Sequence, residues 1–438
     1  MAKLVIEGGQ ALKGTIHLAG AKNSSFKLMI ASLLAQGETK LNNISHISEV
    51  DNVGQMITAL GGRVKPIAKR GLIIDTSGIK SWIIPQKLGQ VSRASSLFLG
   101  PLLARFGKAV VPLPGGDAIG RRPLDRHLDA LTKLGAKIKT SRNLLEASAA
   151  KLAGITYSFA KASHTATENL LMAAVLAKGK TVIATAAREP EVDDLINFLN
   201  QMGGRIVRRG KNIEITGVPE LHPVEFNVMP DRNQAVSYAV AALCTKGEVT
   251  ITNARPEHLA AFLNKLKQAG AGTEVSSSGI RFFYRQELKA ADITTQPHPG
   301  FMTDWQPLWT VLATQSTGTS KIIEAVFTHR FQVVPDLVKM GAKINWFDPR
   351  PKNPESFYNF NLADDEPQNH HGIIVAGPAR LRGGEFAVKD IRNGATLVIA
   401  GLMASGRTVL NQAELIDRGY EDFAGQLSAL GAKIERIN

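Results

Sequence analysis

Apolar stretches of about ten residues recur along the chain, each stopped by a glycine and followed by a short β-branched run. The stopping glycines are Gly37, Gly107, Gly179, Gly247, Gly318 and Gly406. A second mark, an aliphatic residue followed by Gly-Gly or Gly-Ala, falls at Gly61, Gly135, Gly203, Gly270, Gly341 and Gly431. Both series step by roughly 70 residues, too long for a solenoid unit and suited to a two-helix module. Each module reads helix, glycine, strand, helix, glycine, strand, with glycine where a helix C-terminus needs positive φ. The opening runs, such as FKLMIASLLAQ, AVSYAVAALC and TLVIAGLMAS, are apolar on every side, as a buried helix is. The second runs, such as LDRHLDALTKLGAKI, are amphipathic and belong outside. Buried helices wrapped by strands and outer helices predict an α/β, two-domain inside-out barrel of six repeats.

The length of 438 residues agrees with two domains. No apolar run approaches 18 residues and the start MAKLVIEGGQ has no signal-peptide core, which points to a cytoplasmic protein with no membrane partner. The one cysteine, Cys244, lies in a buried-helix run and excludes an intramolecular disulfide. His370 and His371 are adjacent rather than at helical i, i+4 spacing, so neither a metal nor a cofactor is expected. The net charge of +14 is scattered through all six modules, and aromatics are 6% of residues. That pattern fits small acidic substrates better than nucleic acid, and no obligate protein partner is readable.

Candidate chemistry clusters where the buried helices begin. Lys22, Arg93, Arg232 and Arg392 occupy equivalent starts, and cations there are unfavourable unless an anion is bound. The segment 113–125, LPGGDAIGRRPLD, joins three glycines to two arginines and two carboxylates, as a closing lid would. A surface loop with Pro123 at the first position of a helix would explain only part of it.

With these motifs the chain resembles the enolpyruvyl transferases, and among them the UDP-N-acetylglucosamine 1-carboxyvinyltransferase family of peptidoglycan precursor synthesis. The carriers are GAKNSS at 20–25, RASSLFLGPLLARFG at 93–107, PGGDAIGRRPLD at 114–125, AREPEVDDLINFLNQMG at 187–203, PDR at 230–232, HPGFMTD at 298–304, EAVFTHRF at 324–331, DIR at 390–392 and DRGYE at 417–421. The resemblance implies one domain over 21–229 carrying the lid, and a discontinuous second domain over 1–20 plus 230–438. It implies phosphoenolpyruvate held by Lys22, Arg93, Arg122, Arg392 and Arg418. Arg122, Pro123, Leu124 and Asp125 would line the uracil and ribose, Lys161 and Ser163 the diphosphate, and Asn23, Asp304 and the Val326 backbone the amino sugar. Asp231 of the PDR motif is placed on the substrate side as well.

Four places depart from the family pattern. Asp117 stands where most members carry cysteine; Ser163-His164-Thr165-Ala166-Thr167 lacks a glycine that would approach the diphosphate. Gln234–Ser237 replaces a Glu-Thr-Gly-Thr-like run, and a polar excursion at 346–372 lengthens one module. Enol ether formation needs an acid for the methylene carbon, a base for the sugar hydroxyl and a cationic cage for phosphate. The resemblance gives Asp117 the acid role and Asp304 the base role, with Lys22 and Arg418 completing the catalytic set. The alternatives are an enolpyruvyl transferase for another acceptor and a weakly catalytic sugar-nucleotide-binding paralogue.

Overall fold

The computed structural model describes residues 2–113, 115 and 123–437. The chain divides into two compact units. A central unit spans 20–113 and 123–229, and a terminal unit joins residues 2–19 to 230–437.

Each module follows one plan. In the first, the buried helix Lys22–Ala31 leads to the strand Glu38–Asn42, the outer helix Ser48–Ala59 and the antiparallel strands Arg63–Ile67 and Gly71–Asp75. All six glycines of the second series, and five of the first, have positive φ. The exception is instructive. Lys246 takes the left-handed conformation, and Gly247 is required instead because a Cβ there would meet the Leu12 carbonyl oxygen at 2.1 Å.

A fourth strand or bridge joins each three-stranded sheet in parallel, and it comes from the segment preceding the module or from the far end of the unit. In the central unit Thr156–Ser158 pairs with Lys180–Ala184, and a single bridge at Ile83 meets Val110. Glu225–Asn227, after the third module, returns to pair with Glu38–Asn42 of the first. The ring therefore closes on itself. In the terminal unit the chain's first residues do the closing. Lys3–Glu7 lies between Arg407–Asn411 and Lys433–Ile437, antiparallel to both, and Lys13–His17 pairs in parallel with Glu248–Thr252.

Three buried helices fill each ring. In the terminal unit Arg232–Cys244, Gln306–Thr314 and Ile391–Met403 pack on one another, and every side chain of the first two is buried. Cys244 is among them, and burial pushes its thiol pKa well up. In the central unit Leu99–Phe106 packs on His164–Ala174, with Lys22–Ala31 against the preceding 3-10 turn Arg93–Phe98.

Two local expectations change. The helix after the lid is Asp125–Lys133, so Pro123 precedes it rather than opening it. The excursion at 346–372 is more than surface loop: Tyr358 and Phe360 are buried with Ala325 in a small core of their own, flanked by Phe357 and Leu362.

Candidate active site

In the terminal unit the starts of the three buried helices are wired together. The Asp231 carboxylate accepts from Asn233 N–H at 2.8 Å and Gln234 N–H at 3.1 Å, capping the helix from a site 2% exposed. Asp390 does the same for the third helix, accepting from Arg392 and Asn393. Between them lies Asp304, on the turn Thr303–Trp305. Arg330 Nη2 donates to its Oδ1 at 2.6 Å and Arg392 Nη2 to its Oδ2 at 3.2 Å. Arg392 Nη1 donates to the Tyr420 hydroxyl at 2.9 Å, which lies 2.7 Å from Ser237 Oγ. Arg232 approaches His298 Nδ1 at 3.2 Å and stands 5.8 Å from the Trp305 ring, while Trp305 Nε1 donates to Asn233.

The charges here are buried and mutually dependent. Burial works against the Arg392 guanidinium, but Tyr420, Asp304 and Asp231 outweigh it and hold its pKa above the ordinary value. The cost of a cation at a helix start is thus offset in part by the protein's own carboxylates. Glu324, fully buried, accepts from the N–H groups of Val326 and Phe327 and from the Thr303 hydroxyl at 3.0 Å. Burial raises its pKa. This carboxylate ties the turn bearing Asp304 to the loop bearing Val326 and Arg330. Arg418 ends the 3-10 turn Ala413–Arg418, half-buried.

In the central unit Lys22 and Asn23 open their helix, half-buried, with Lys22 Nζ 3.9 Å from Glu49. Glu49 also accepts from Ser92, whose hydroxyl caps the turn that Arg93 begins. Arg93 Nη2 donates to the Pro123 carbonyl at 3.3 Å. Asp125 and Pro123 are exposed, whereas Leu124 is 8% exposed and packs in the core, so its side chain serves the fold. Lys161 and Ser163 are half-buried, Ser163 immediately preceding His164–Ala174. Arg126 Nη1 donates to the Ala162 carbonyl at 3.3 Å. Asp117, Arg122 and most of the segment 113–125 lie outside the described residues.

Arg330, Glu324 and Tyr420 were not singled out by the sequence reading, although each falls inside a quoted motif. Among the described residues no group of three His, Cys, Asp or Glu side chains could hold a metal, and no helix is long and apolar enough to cross a membrane.

Comparison with known proteins brings these features together. Residues 6–427 match the EPSP synthase (3-phosphoshikimate 1-carboxyvinyltransferase) family. The chain is 40% identical over 438 residues to UDP-N-acetylglucosamine 1-carboxyvinyltransferase of Desulfosudis oleivorans, covering 100% of both. It is 41% identical over 439 residues to the protein of that name from Idiomarina loihiensis, again covering 100% of both. In fold it is similar to the enolpyruvyl transferase NikO from Streptomyces tendae, with TM-score 0.86 at 23% identity over 99% of this chain and 98% of that one. EPSP synthase from Acinetobacter baumannii matches with TM-score 0.72 at 20% identity over 100% of each chain. The chain belongs to the EPSP synthase family of carboxyvinyltransferases, alongside the UDP-N-acetylglucosamine 1-carboxyvinyltransferases.

Proposed function

We propose that this enzyme transfers the enolpyruvyl group of phosphoenolpyruvate to the 3′-hydroxyl of UDP-N-acetylglucosamine and releases phosphate, the first committed step towards peptidoglycan. The observation that carries the reading is Asp304 held between Arg330 and Arg392, an oriented carboxylate beside a guanidinium suited to a phosphate or carboxylate. In the resting protein Arg392 is occupied by Asp304. Phosphoenolpyruvate offers Arg392 a better-charged partner, and Asp304 gives up one contact and becomes free to accept the sugar hydroxyl proton. The alkoxide oxygen attacks C2 of phosphoenolpyruvate while Asp117 delivers a proton to C3. Lys22, Arg93, Arg122 and Arg418 balance the charge on phosphate as it leaves, and loss of a C3 proton restores the double bond.

Phosphate release from phosphoenolpyruvate tests this directly. It should require UDP-N-acetylglucosamine; release with a different hydroxylated acceptor alone would assign the enzyme to another substrate. Asp117 adds a second readout. The family resemblance implies that fosfomycin alkylates a lid cysteine, and a carboxylate is a poor nucleophile for that epoxide. Wild-type activity should therefore survive preincubation with fosfomycin, and Asp117→Cys should become sensitive. Stoichiometric labelling of the wild-type protein would defeat the insensitivity.

A further inference from the structure

His164 and Thr165, which stand where the family pattern lacks them, are each backed by a buried polar relay in the central unit. The relay behind Thr165 starts at a backbone group. Gly100 N–H donates to Asn169 Oδ1 at 2.7 Å, which fixes the orientation of a fully buried amide. Asn169 Nδ2 then donates to the Ser96 carbonyl at 3.0 Å and to His127 Nδ1 at 3.1 Å. Burial, with Arg93 and Arg126 nearby, pushes the His127 pKa down to about 3, so the ring is neutral. Its one proton is on Nε2, which donates to Thr165 Oγ1 at 3.0 Å. Because the Thr165 hydroxyl accepts there, its own hydrogen remains to be donated.

The relay behind His164 is ionic. Lys27 Nζ lies 2.7 Å from both oxygens of Glu168, and the two side chains are 2% and 0% exposed. His164 Nε2 is 2.9 Å from Lys27 Nζ and 3.1 Å from Glu168 Oε1. A neutral ring accepts from the ammonium at Nε2, since an Nε2–H would face the donor-only ammonium 2.9 Å away, and its proton is therefore on Nδ1. If the ring is protonated, Nε2–H turns to Glu168 and Nδ1 again carries a proton. Burial opposes that charge, but Glu168 outweighs it and the His164 pKa is raised. Nδ1–H has no partner among the described residues, and the side chain is 21% exposed.

We propose that the His164 Nδ1–H and Thr165 Oγ–H groups are a specificity pair for the phosphate oxygens of a nucleoside diphosphate, with Lys27–Glu168 and Asn169–His127 as the positioning residues behind them. Both donors stand at the positive end of the buried helix, next to Lys161 and Ser163, and Arg126 occupies the neighbouring Ala162 carbonyl that would repel an anion. Two side-chain donors stand in for the backbone approach that a glycine would allow. This rests on the sugar-nucleotide reading above.

Calorimetry with UDP and UMP, run beside steady-state kinetics, tests it in the full-length enzyme. His164→Ala and Thr165→Val should each weaken UDP binding about tenfold, and the two together should weaken it further. UMP should lose less, Thr165→Ser should keep wild-type affinity, and the KM for phosphoenolpyruvate should hold. UDP affinity within twofold of wild type in the double variant would overturn the proposal. So would equal losses for UDP and UMP, the mark of a structural role, or a rise confined to the KM for phosphoenolpyruvate, which would give the pair to that phosphate. A wild-type enzyme that binds UDP but releases no phosphate with UDP-N-acetylglucosamine would defeat the proposed reaction and leave the pair standing.

Discussion

Asp304 is a carboxylate with two possible occupations, proton acceptor or charge partner, and its neighbours make the difference measurable. As the base, Asp304→Ala should lower turnover about 10²–10⁴-fold and leave UDP-N-acetylglucosamine binding nearly intact. Turnover within a few-fold of wild type would leave it only as the counter-ion of Arg330 and Arg392. His127 makes a prediction of another kind. Its folded pKa is depressed to about 3 against an ordinary value of 6.5. Between those values the unfolded chain binds the extra proton, so stability is complete above pH 6.5 and falls as pH falls. At pH 5 the loss is about 2 kcal/mol. Urea unfolding should show a smaller fall from pH 7 to pH 5 in His127→Gln than in wild type, by about that amount; equal falls would mean that His127 is not held neutral. Individual site residues were unequally legible. Lys22, Arg93 and Arg392 announce themselves by standing where a helix start disfavours a cation. Arg330 and Tyr420 do not, because their partners Asp304 and Arg392 are 26 and 28 positions away and only the fold brings them near.

Elements were legible where a periodic pattern met a backbone requirement. The buried helices follow from runs with no polar face, but of them only Leu99–Phe106 ends directly on a left-handed glycine, Gly107. Arg232–Cys244 and Ile391–Met403 end at Thr245 and Ala404, before the next glycine is reached. Lys246 shows the limit, since a left-handed lysine does what glycine does elsewhere and the neighbouring glycine is kept for a close approach. Short parallel strands left no such trace. Glu225–Asn227 and Glu385–Ala387 are three residues long, too brief for alternation to register, and pairing defines them. The polar composition of 346–372 likewise hid Tyr358 and Phe360, whose packing on Ala325 braces the strand end next to Glu324. Asn359 N–H adds a hydrogen bond to the Ala325 carbonyl at 2.7 Å.

For the whole molecule, the difference between the two rings is how their strands are supplied. Every sheet of the central unit is built from residues inside 20–229, whereas two sheets of the terminal unit need Lys3–Glu7 and Lys13–His17. A 20–229 fragment should therefore fold cooperatively alone, and a 230–438 fragment should not unless residues 1–19 are supplied as a peptide or a fusion. Amide hydrogen exchange would show it, and full protection of Arg407–Asn411 in the 230–438 fragment would refute it. The central position of Lys3–Glu7, flanked on both sides by strands from far along the chain, also sets an order of events in the cell. Its partners Arg407–Asn411 and Lys433–Ile437 follow it off the ribosome by roughly 400 residues. At about 5–20 residues per second, Lys3–Glu7 waits on the order of half a minute with its hydrogen-bonding edges unmatched. A strand made early is placed late, and a chaperone that shields an emerging strand would have its longest opportunity here.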